Sequence, residues 1–447
     1  MDYNATSLLY DVAIMSALLF VGKVIRTKVK IIQKLYIPAA LIAGFLGLFL
    51  GPQFLNLLPF SNQISSYSGI LIAVVFSSMF IGNKRRVTFK SMFNNVGDTF
   101  LVNAAAEIGQ YAFFILLGVT IIPLIFNNID KAFGLMVPAG FIGGHGTAAA
   151  IGGVLEENGW SAATSVAQTF ATIGLLGGII GGVILINIGA RKGKTAIIKD
   201  VKELPNEMMT GLVEENNQTE FGKNTVNAMS MDTFSWHFVL VMVSVGTAYL
   251  INSGLKILVP SISFPVYGIA LVCGVILQSI LKLLKLDAYV DKRIITHIGS
   301  SATDYLVAFG VASINISIVI AYLVPIILLS VIGFLFVIIW FWGVSPRFFR
   351  NFWFERGIYI YGLSTGVMAT GVILLRITDP EFQSGVLEDF GFAWIFLTFV
   401  DLVLVSLSPM LIIQGHGLLW SIVLLAVASF CLVVCKKIFR QDIRCQY

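Results

Sequence analysis

Two glycine-rich, polar stretches interrupt sequence that is otherwise apolar enough to lie inside a membrane. They are residues 143–150 (GGHGTAAA) and 362–371 (GLSTGVMATG), and each falls at a similar place in its half of the chain. Backbone N–H and C=O groups at membrane depth have no water to bond, so leaving them unpaired is costly. Such stretches are tolerated only where they are buried in protein or line a wet cavity, as the broken helices of secondary transporters do.

The composition places the whole chain in a membrane. Of its 447 residues, 57% are hydrophobic and only 12% are charged, whereas a soluble domain carries about 25% charged residues. The net charge of +5 does not indicate a nucleic-acid partner, because the basic residues are distributed between the apolar runs.

A membrane-spanning helix needs about 20 apolar residues, and eleven runs approach that length. The predicted spans are 6–22, 35–51, 66–82, 98–125, 165–189, 235–252, 264–281, 296–316, 319–343, 392–412 and 418–435. Basic residues cluster after the odd-numbered spans, as in 23–34, 84–90, 191–194, 282–293, 347–356 and 436–444. Cytoplasmic loops are enriched in Lys and Arg. The N-terminus is therefore predicted outside and the C-terminus in the cytoplasm, in a multi-pass protein of the plasma membrane.

This topology forces both glycine-rich stretches to return to the side from which they came. Residues 126–164 must begin and end outside, and 344–391 must begin and end inside. A simple crossing at either place would put the later Arg clusters on the outer side of the membrane. Each region is therefore predicted to form a re-entrant hairpin. The first hairpin lies near 134–152 and the second near 357–376, and we expect their tips to meet.

The chain also contains an internal sequence repeat. Residues 36–47 (YIPAALIAGFLG) resemble 263–274 (SFPVYGIALVCG), each with a proline at the start of the second span of its half, where the missing N–H is harmless. Five spans per half imply opposite insertion. The predicted fold class is an all-α polytopic membrane protein of two inverted five-helix repeats, each with a re-entrant hairpin, plus one extra C-terminal helix. The predicted boundaries are 1–189 and 235–413 for the repeats, 190–234 for a polar cytoplasmic linker, and 414–447 for the extra helix and basic tail.

Several segments together resemble the sodium/glutamate symporters. They are the glycine–histidine motif at 143–147, EENGW at 156–160, the glycine-rich run at 169–182, and FVDLV at 399–403. The resemblance implies sodium-coupled uptake of L-glutamate, ten spans in inverted repeats, a homodimer, and a core that moves against a scaffold. The chain departs from the family pattern in its extra last helix, in Arg376 directly after the second hairpin, and in Thr370-Gly371.

The two glycine-rich stretches supply the predicted substrate site. Hydroxyl groups, a histidine and the free N–H groups of half-helix N-termini can all bind an anion. The alternative is that small residues only allow close helix packing, and this alternative is favoured for the glycines at 177–182. The predicted binding residues are Gly144, His145, Gly146, Thr147, Ser364, Thr365, Gly366, Thr370 and Arg376. For Arg376, neutralisation by Asp379 and Glu381 is the competing interpretation.

Acidic side chains inside a membrane are rare and mark functional sites. Candidates are Asp98, Glu107, Asp304 and Asp401. Sodium, as a hard cation, prefers oxygen ligands, so Asp401 and, secondarily, Asp304 are predicted to bind it. The competing interpretation is that Asp401 orients a hairpin through hydrogen bonds.

The predicted function is sodium-coupled symport of L-glutamate by alternating access. Another dicarboxylate or organic anion, or a proton as the coupling ion, remains an alternative. No catalytic residue is predicted, because the sequence offers neither a paired histidine and carboxylate nor a nucleophile elbow. Sodium, glutamate, lipid and a second copy of the chain are the expected partners, with no organic cofactor and no nucleic acid.

Overall fold

The computed structural model describes residues 5–34, 37–83, 89–127, 129–197, 210–258, 266–379 and 383–439. Within these ranges the protein is helical and contains no β-strand. Some predictions lie outside them: the motif residues Tyr36 and 263–265, the basic residues 84–86, residues 198–209 of the linker, and the tail from residue 440 onward.

Eighteen α-helices cover most of the described residues. They are α1 (Ala5–Lys28), α2 (Lys30–Lys34), α3 (Ala39–Leu50), α4 (Ile64–Ser78), α5 (Phe89–Thr120), α6 (Ile122–Ile125), α7 (Met136–Phe141), α8 (Gly144–Glu157), α9 (Ala163–Arg191), α10 (Thr233–Leu258), α11 (Val266–Leu283), α12 (Lys292–Ala312), α13 (Ile316–Ala321), α14 (Leu323–Ile339), α15 (Ser345–Phe348), α16 (Trp353–Thr378), α17 (Val386–Ile413) and α18 (Gly417–Phe439). A π-helical turn, Trp340–Val344, joins α14 to α15.

Eight of the described helices are long and apolar enough to cross a membrane. They coincide with eight of the eleven predicted spans. The other three spans also form helices, namely α3, α4 and α12. The helix α3 has only 12 residues, which is about 18 Å of helix and shorter than a membrane core of about 30 Å. The helix α12 carries Lys292, Arg293 and Asp304, which lower its apolarity.

The chain divides into two compact units, and neither is a continuous half of the sequence. The first unit comprises 1–86 and 206–316, and the second comprises 87–205 and 317–447. The first unit therefore takes the opening helices of each half, α1–α4 and α10–α12. The second unit takes the closing helices of each half and both glycine-rich stretches.

In the first unit, small residues allow α3 to approach α12 closely. A Cβ added to Gly44 would lie 2.6 Å from Cβ of Val311, and one added to Gly47 would lie 2.8 Å from Cβ of Ala312. The Nζ of Lys292 donates to the carbonyl oxygens of Ser78 (2.8 Å), Met79 (2.7 Å) and Ile81 (3.1 Å). Lys292 thus satisfies carbonyl groups at and just beyond the end of α4, which have no partner within that helix.

Parts of the predicted linker are bound to the units. In the first unit, Lys23 Nζ donates to the carbonyl of Gly211 (2.5 Å), and the N–H of Lys223 donates to Asp291 (2.9 Å). In the second unit, the N–H of Ala196 donates to Glu355 (2.7 Å).

In the second unit, the last helix belongs to the core. The helix α18 packs along α5, and the buried side chains of Cys435 and Phe439 join Leu101 and Val102 in one hydrophobic cluster. The extra C-terminal helix of the sequence is therefore a structural partner of α5.

Candidate functional site

The first glycine-rich stretch breaks a helix between α7 and α8. The helix α7 ends at Phe141, and α8 begins at Gly144. Gly144 has φ +62°, a left-handed conformation that is costly for residues with a Cβ. The break leaves the first N–H groups of α8 without partners inside the helix, and these groups give the helix start a partial positive charge.

The second glycine-rich stretch breaks α16. Gly366 has φ −148° and ψ 37°, and Val367 has φ 63° and ψ 176°. A Cβ added to Gly362 would lie 2.6 Å from the Cα of Gly371, although nine residues of continuous helix would separate them by about 13 Å. The chain therefore reverses at 366–367, and α16 consists of two arms packed against each other through glycine.

The two breaks lie side by side in the second unit. A Cβ added to Gly144 would lie 2.5 Å from Cγ1 of Val367. The tips of the two interrupted segments are thus in contact, and glycine at position 144 is what allows this approach. Val367 also has a conformation that is almost restricted to glycine, which marks the tip of the second segment as strained.

Buried side chains from neighbouring helices hold the first break. The Nε2 of His145 lies 3.0 Å from Oγ1 of Thr172, and Nε2 of Gln168 donates to the carbonyl of His145 at 3.0 Å. His145 is only 2% exposed. Thr172 and Gln168 are one turn apart on α9, so this helix fixes the start of α8.

A second glutamine binds the other break. Nε2 of Gln110, on α5, donates to the carbonyl of Ser364 at 3.3 Å. Sequence reasoning missed both glutamines. The available signal was an amide side chain within an apolar span, since polar side chains at membrane depth are expensive and face functional interiors.

The glycine-rich face of α9 packs against α16. A Cβ added to Gly178 or Gly174 would collide with Thr365, and one added to Gly182 would collide with the side chain of Leu374. The prediction that the glycines at 177–182 serve close packing is therefore confirmed at Gly178 and Gly182.

The predicted hydroxyl ligands are buried, and two of them bond their own backbone. Oγ1 of Thr365 donates to the carbonyl of Tyr361 (2.8 Å), and Oγ1 of Thr370 donates to that of Gly366 (2.5 Å). Thr147 and Ser364 are each 5% exposed. Thr370 thus stabilises the chain reversal, while Thr147 and Gly146 lie in the first turn of α8.

Arg376 is distant from the breaks. It is exposed and lies in the last turn of α16, nine residues beyond Val367 and thus about 13 Å along the helix. The structure therefore does not bring Arg376 to the tips with the other predicted binding residues.

The two predicted sodium ligands lie in different units. Asp401, on α17, has its carboxyl beside that of Glu107 on α5. Asp304 lies in the first unit, where it lines a cavity of about 390 Å³ together with Lys23. In the ranges that the structure describes, no group of three or more His, Cys, Asp or Glu side chains could hold a metal.

Ion pairs fix the base of the second interrupted segment. Arg356, 4% exposed, donates to Asp389 of α17 at 2.5 Å and also to Thr99 of α5. Arg350 donates to Asp98 of α5 at 3.0 Å. The start of α16 is therefore tied to two neighbouring helices by charge-assisted hydrogen bonds, which are stronger than neutral ones.

A comparison with protein families matches residues 5–350 of the 447 to the model described as sodium/glutamate symporter. A comparison with curated proteins finds no match. The matched residues include the whole first break and end before α16, so the second break lies beyond them. Because the match covers well over half of the chain, the protein belongs to the sodium/glutamate symporter family.

Proposed function

We propose that this protein is a secondary active transporter that takes up L-glutamate with sodium by alternating access. The observation that carries the proposal is the contact between two helix breaks, Gly144 against Val367, in a chain of this family. Two broken helices in contact expose free N–H groups and free carbonyl groups at one place. The N–H groups suit the carboxylates of glutamate, and the carbonyl groups suit its ammonium group and sodium.

The substrate carboxylates bind at the start of α8 in this proposal. The N–H groups of Gly144, His145 and Gly146 lie there, together with the Thr147 hydroxyl, and a helix N-terminus attracts anions. The arm of α16 that follows Val367 offers a second such start, with Ser364, Thr365, Gly366 and Thr370 around the reversal. Carbonyl groups at the ends of the preceding half-helices suit the substrate ammonium group or sodium.

Arg376 has a different proposed role. Its exposure and its distance from the tips favour a role at the cytoplasmic mouth of the transport path, where a cation acts on the anionic substrate as it leaves. Asp401 is proposed to bind sodium directly, and Asp304 is proposed as a separate, weaker cation site in the first unit.

The membrane potential favours uptake only if more than one cation accompanies each substrate. Glutamate carries one net negative charge, and an inside-negative potential opposes its entry by about 2.3 kcal/mol per 100 mV. One sodium cancels this charge, and a second makes the potential favour uptake. Net inward positive current during uptake is therefore expected.

We further propose a homodimer in the plasma membrane, with the N-terminus outside and the C-terminus in the cytoplasm. The alternation of basic and non-basic loops supports this orientation. The two interrupted segments would then be re-entrant from opposite faces, each half forming one of two inverted repeats.

Uptake of labelled glutamate into proteoliposomes tests the proposal. We expect accumulation above the external concentration with an inward sodium gradient, and none when choline replaces sodium. Uptake without a gradient would indicate a channel and contradict the proposal. Unlabelled dicarboxylates are added as competitors. If one of them inhibits the uptake at a lower concentration than unlabelled glutamate does, that organic anion is the better substrate.

Substrate protection tests the position of the site. Single cysteines replace Thr147 and Ser364 in a background from which the four native cysteines have been removed. Glutamate with sodium should slow labelling at both positions by a small thiol reagent, and a cysteine at Glu157, at the end of α8, serves as the control. Protection at neither position would place the substrate elsewhere.

A further inference from the structure

The middle of α5 carries three buried polar side chains on one face. Asn103, Glu107 and Gln110 are spaced by four and three residues, so they are neighbours along the helix surface. They are 1%, 2% and 0% exposed, respectively. Among the described residues, neither carboxylate oxygen of Glu107 nor the amide oxygen of Gln110 has a hydrogen-bond donor.

Asp401 adds a second acid to this face. The helix α17 packs on α5, and the carboxyl group of Asp401 lies beside that of Glu107. Two carboxylates this close repel each other when both are ionised, and buried charge without a partner is costly. The arrangement is therefore favourable only when a proton or a metal cation offsets the charge of these oxygens.

Two arginines of the same unit form ion pairs elsewhere. Arg350 pairs with Asp98, and Arg356 pairs with Asp389. Asp98 is nine residues from Glu107, or about 13 Å along α5. In the described part of the chain, Asp401 is the charged group that acts on Glu107.

We propose that Glu107, Asp401 and the amide oxygen of Gln110 form a binding site for one sodium ion. All three groups offer hard oxygen atoms, which such cations prefer, and the bound charge offsets the repulsion between the two acids. The choice of sodium rests on the proposed function, whereas the oxygen site rests on the side chains of α5 and α17 alone.

The site has a direct link to the second break. Gln110 presents its amide oxygen to the cation while its Nε2 donates to the carbonyl of Ser364. A bound cation fixes the orientation of this amide and thereby the arm of α16 that leads to Gly366 and Val367. Occupancy of the site thus favours one arrangement of the substrate-binding tip.

The test measures binding of radioactive sodium to the purified protein in lipid nanodiscs. We expect Glu107→Gln to raise the half-saturating sodium concentration by at least about tenfold, in line with losses seen when groups around a bound metal are removed. Asp401→Asn should have a similar effect, and Gln110→Ala a smaller one in the same direction. Glu157→Gln, an exposed acid in the same unit, is the matched control and should bind as the unmodified protein does.

A stability measurement separates binding from a structural role. The amide of Glu107→Gln can donate to Asp401, so this variant should have a higher Tm than the unmodified protein without sodium, and sodium should raise its Tm less. A purely structural Glu107 predicts a lower Tm and an unchanged sodium-induced rise, which would overturn the inference. If Glu107→Gln yields no folded protein, unchanged sodium binding in Gln110→Ala overturns it instead.

The failure of this inference can be told apart from failure of the proposed function. Sodium-driven glutamate uptake by the unmodified protein tests the function first. If that uptake is present and Glu107→Gln retains the same sodium dependence, only the site is wrong. Displacement of bound sodium by micromolar calcium would also overturn it, by showing a divalent-cation site.

Discussion

The contact between the two helix breaks leads to a quantitative prediction for Gly144→Ala. Gly144 has φ +62°, where a Cβ costs about 1–2 kcal/mol. The same Cβ would lie 2.5 Å from Cγ1 of Val367, well inside the contact distance of about 3.5–4.0 Å, and such overpacking costs about 1–3 kcal/mol. The expected loss in unfolding free energy is therefore about 2–5 kcal/mol.

A double-mutant cycle with Val367→Gly separates the two costs. This second substitution removes Cγ1 and also relieves the strained backbone at position 367. Gly144→Ala should then cost only the conformational part, about 1–2 kcal/mol, so the coupling energy equals the packing part. Neighbouring residues that share a contact are expected to show such non-additivity.

Reversible unfolding in mixed detergent micelles provides the free energies. Gly153→Ala is the control, because a Cβ added at this position of α8 meets nothing within 4 Å, and alanine is the better helix former by about 1 kcal/mol. Equal losses for Gly144→Ala in both backgrounds would refute the contact between the breaks.

Three other substitutions test particular contacts by the same unfolding measurement. Gly362→Ala should destabilise the protein by about 2 kcal/mol or more, since its Cβ meets the backbone of Gly371 at 2.6 Å, and a neutral effect would contradict the chain reversal. Asp98→Asn should cost about 2–3 kcal/mol by weakening a charged hydrogen bond to Arg350, whose side chain is 24% exposed; an unchanged Tm would show that the pair contributes nothing. Lys292→Met should cost about 2 kcal/mol, because three carbonyl groups lose their donor, and protection from hydrogen exchange should fall at the end of α4.

The sequence determined the class of the protein and the places where helices stop. Apolarity is a property of each segment by itself, so all the predicted spans correspond to helices, and eight of them are long and apolar enough to cross a membrane. The breaks at Gly144 and Gly366 were also readable, because glycine-rich polar sequence cannot continue an apolar helix without cost. The family resemblance came from the same local motifs.

Tertiary structure decided which helices belong together. The compact units combine segments from both halves of the chain, and the last helix, which reads as an appendage in the sequence, packs along α5. Arg376 follows the second break closely in the sequence, yet a helical arm carries it away from the tips, so nearness along the chain was a poor guide.

The buried polar contacts were also beyond the sequence. Glu107 and Asp401 are almost three hundred positions apart, and Gln110 and Ser364 are 254 positions apart. Whether such residues meet depends on how each helix is rotated about its axis. That rotation is set by packing over the whole helix surface, through small residues such as Gly178, and one sequence contains no direct record of it. The sequence therefore shows which types of side chain are present in the site, while helix packing determines which of them face one another.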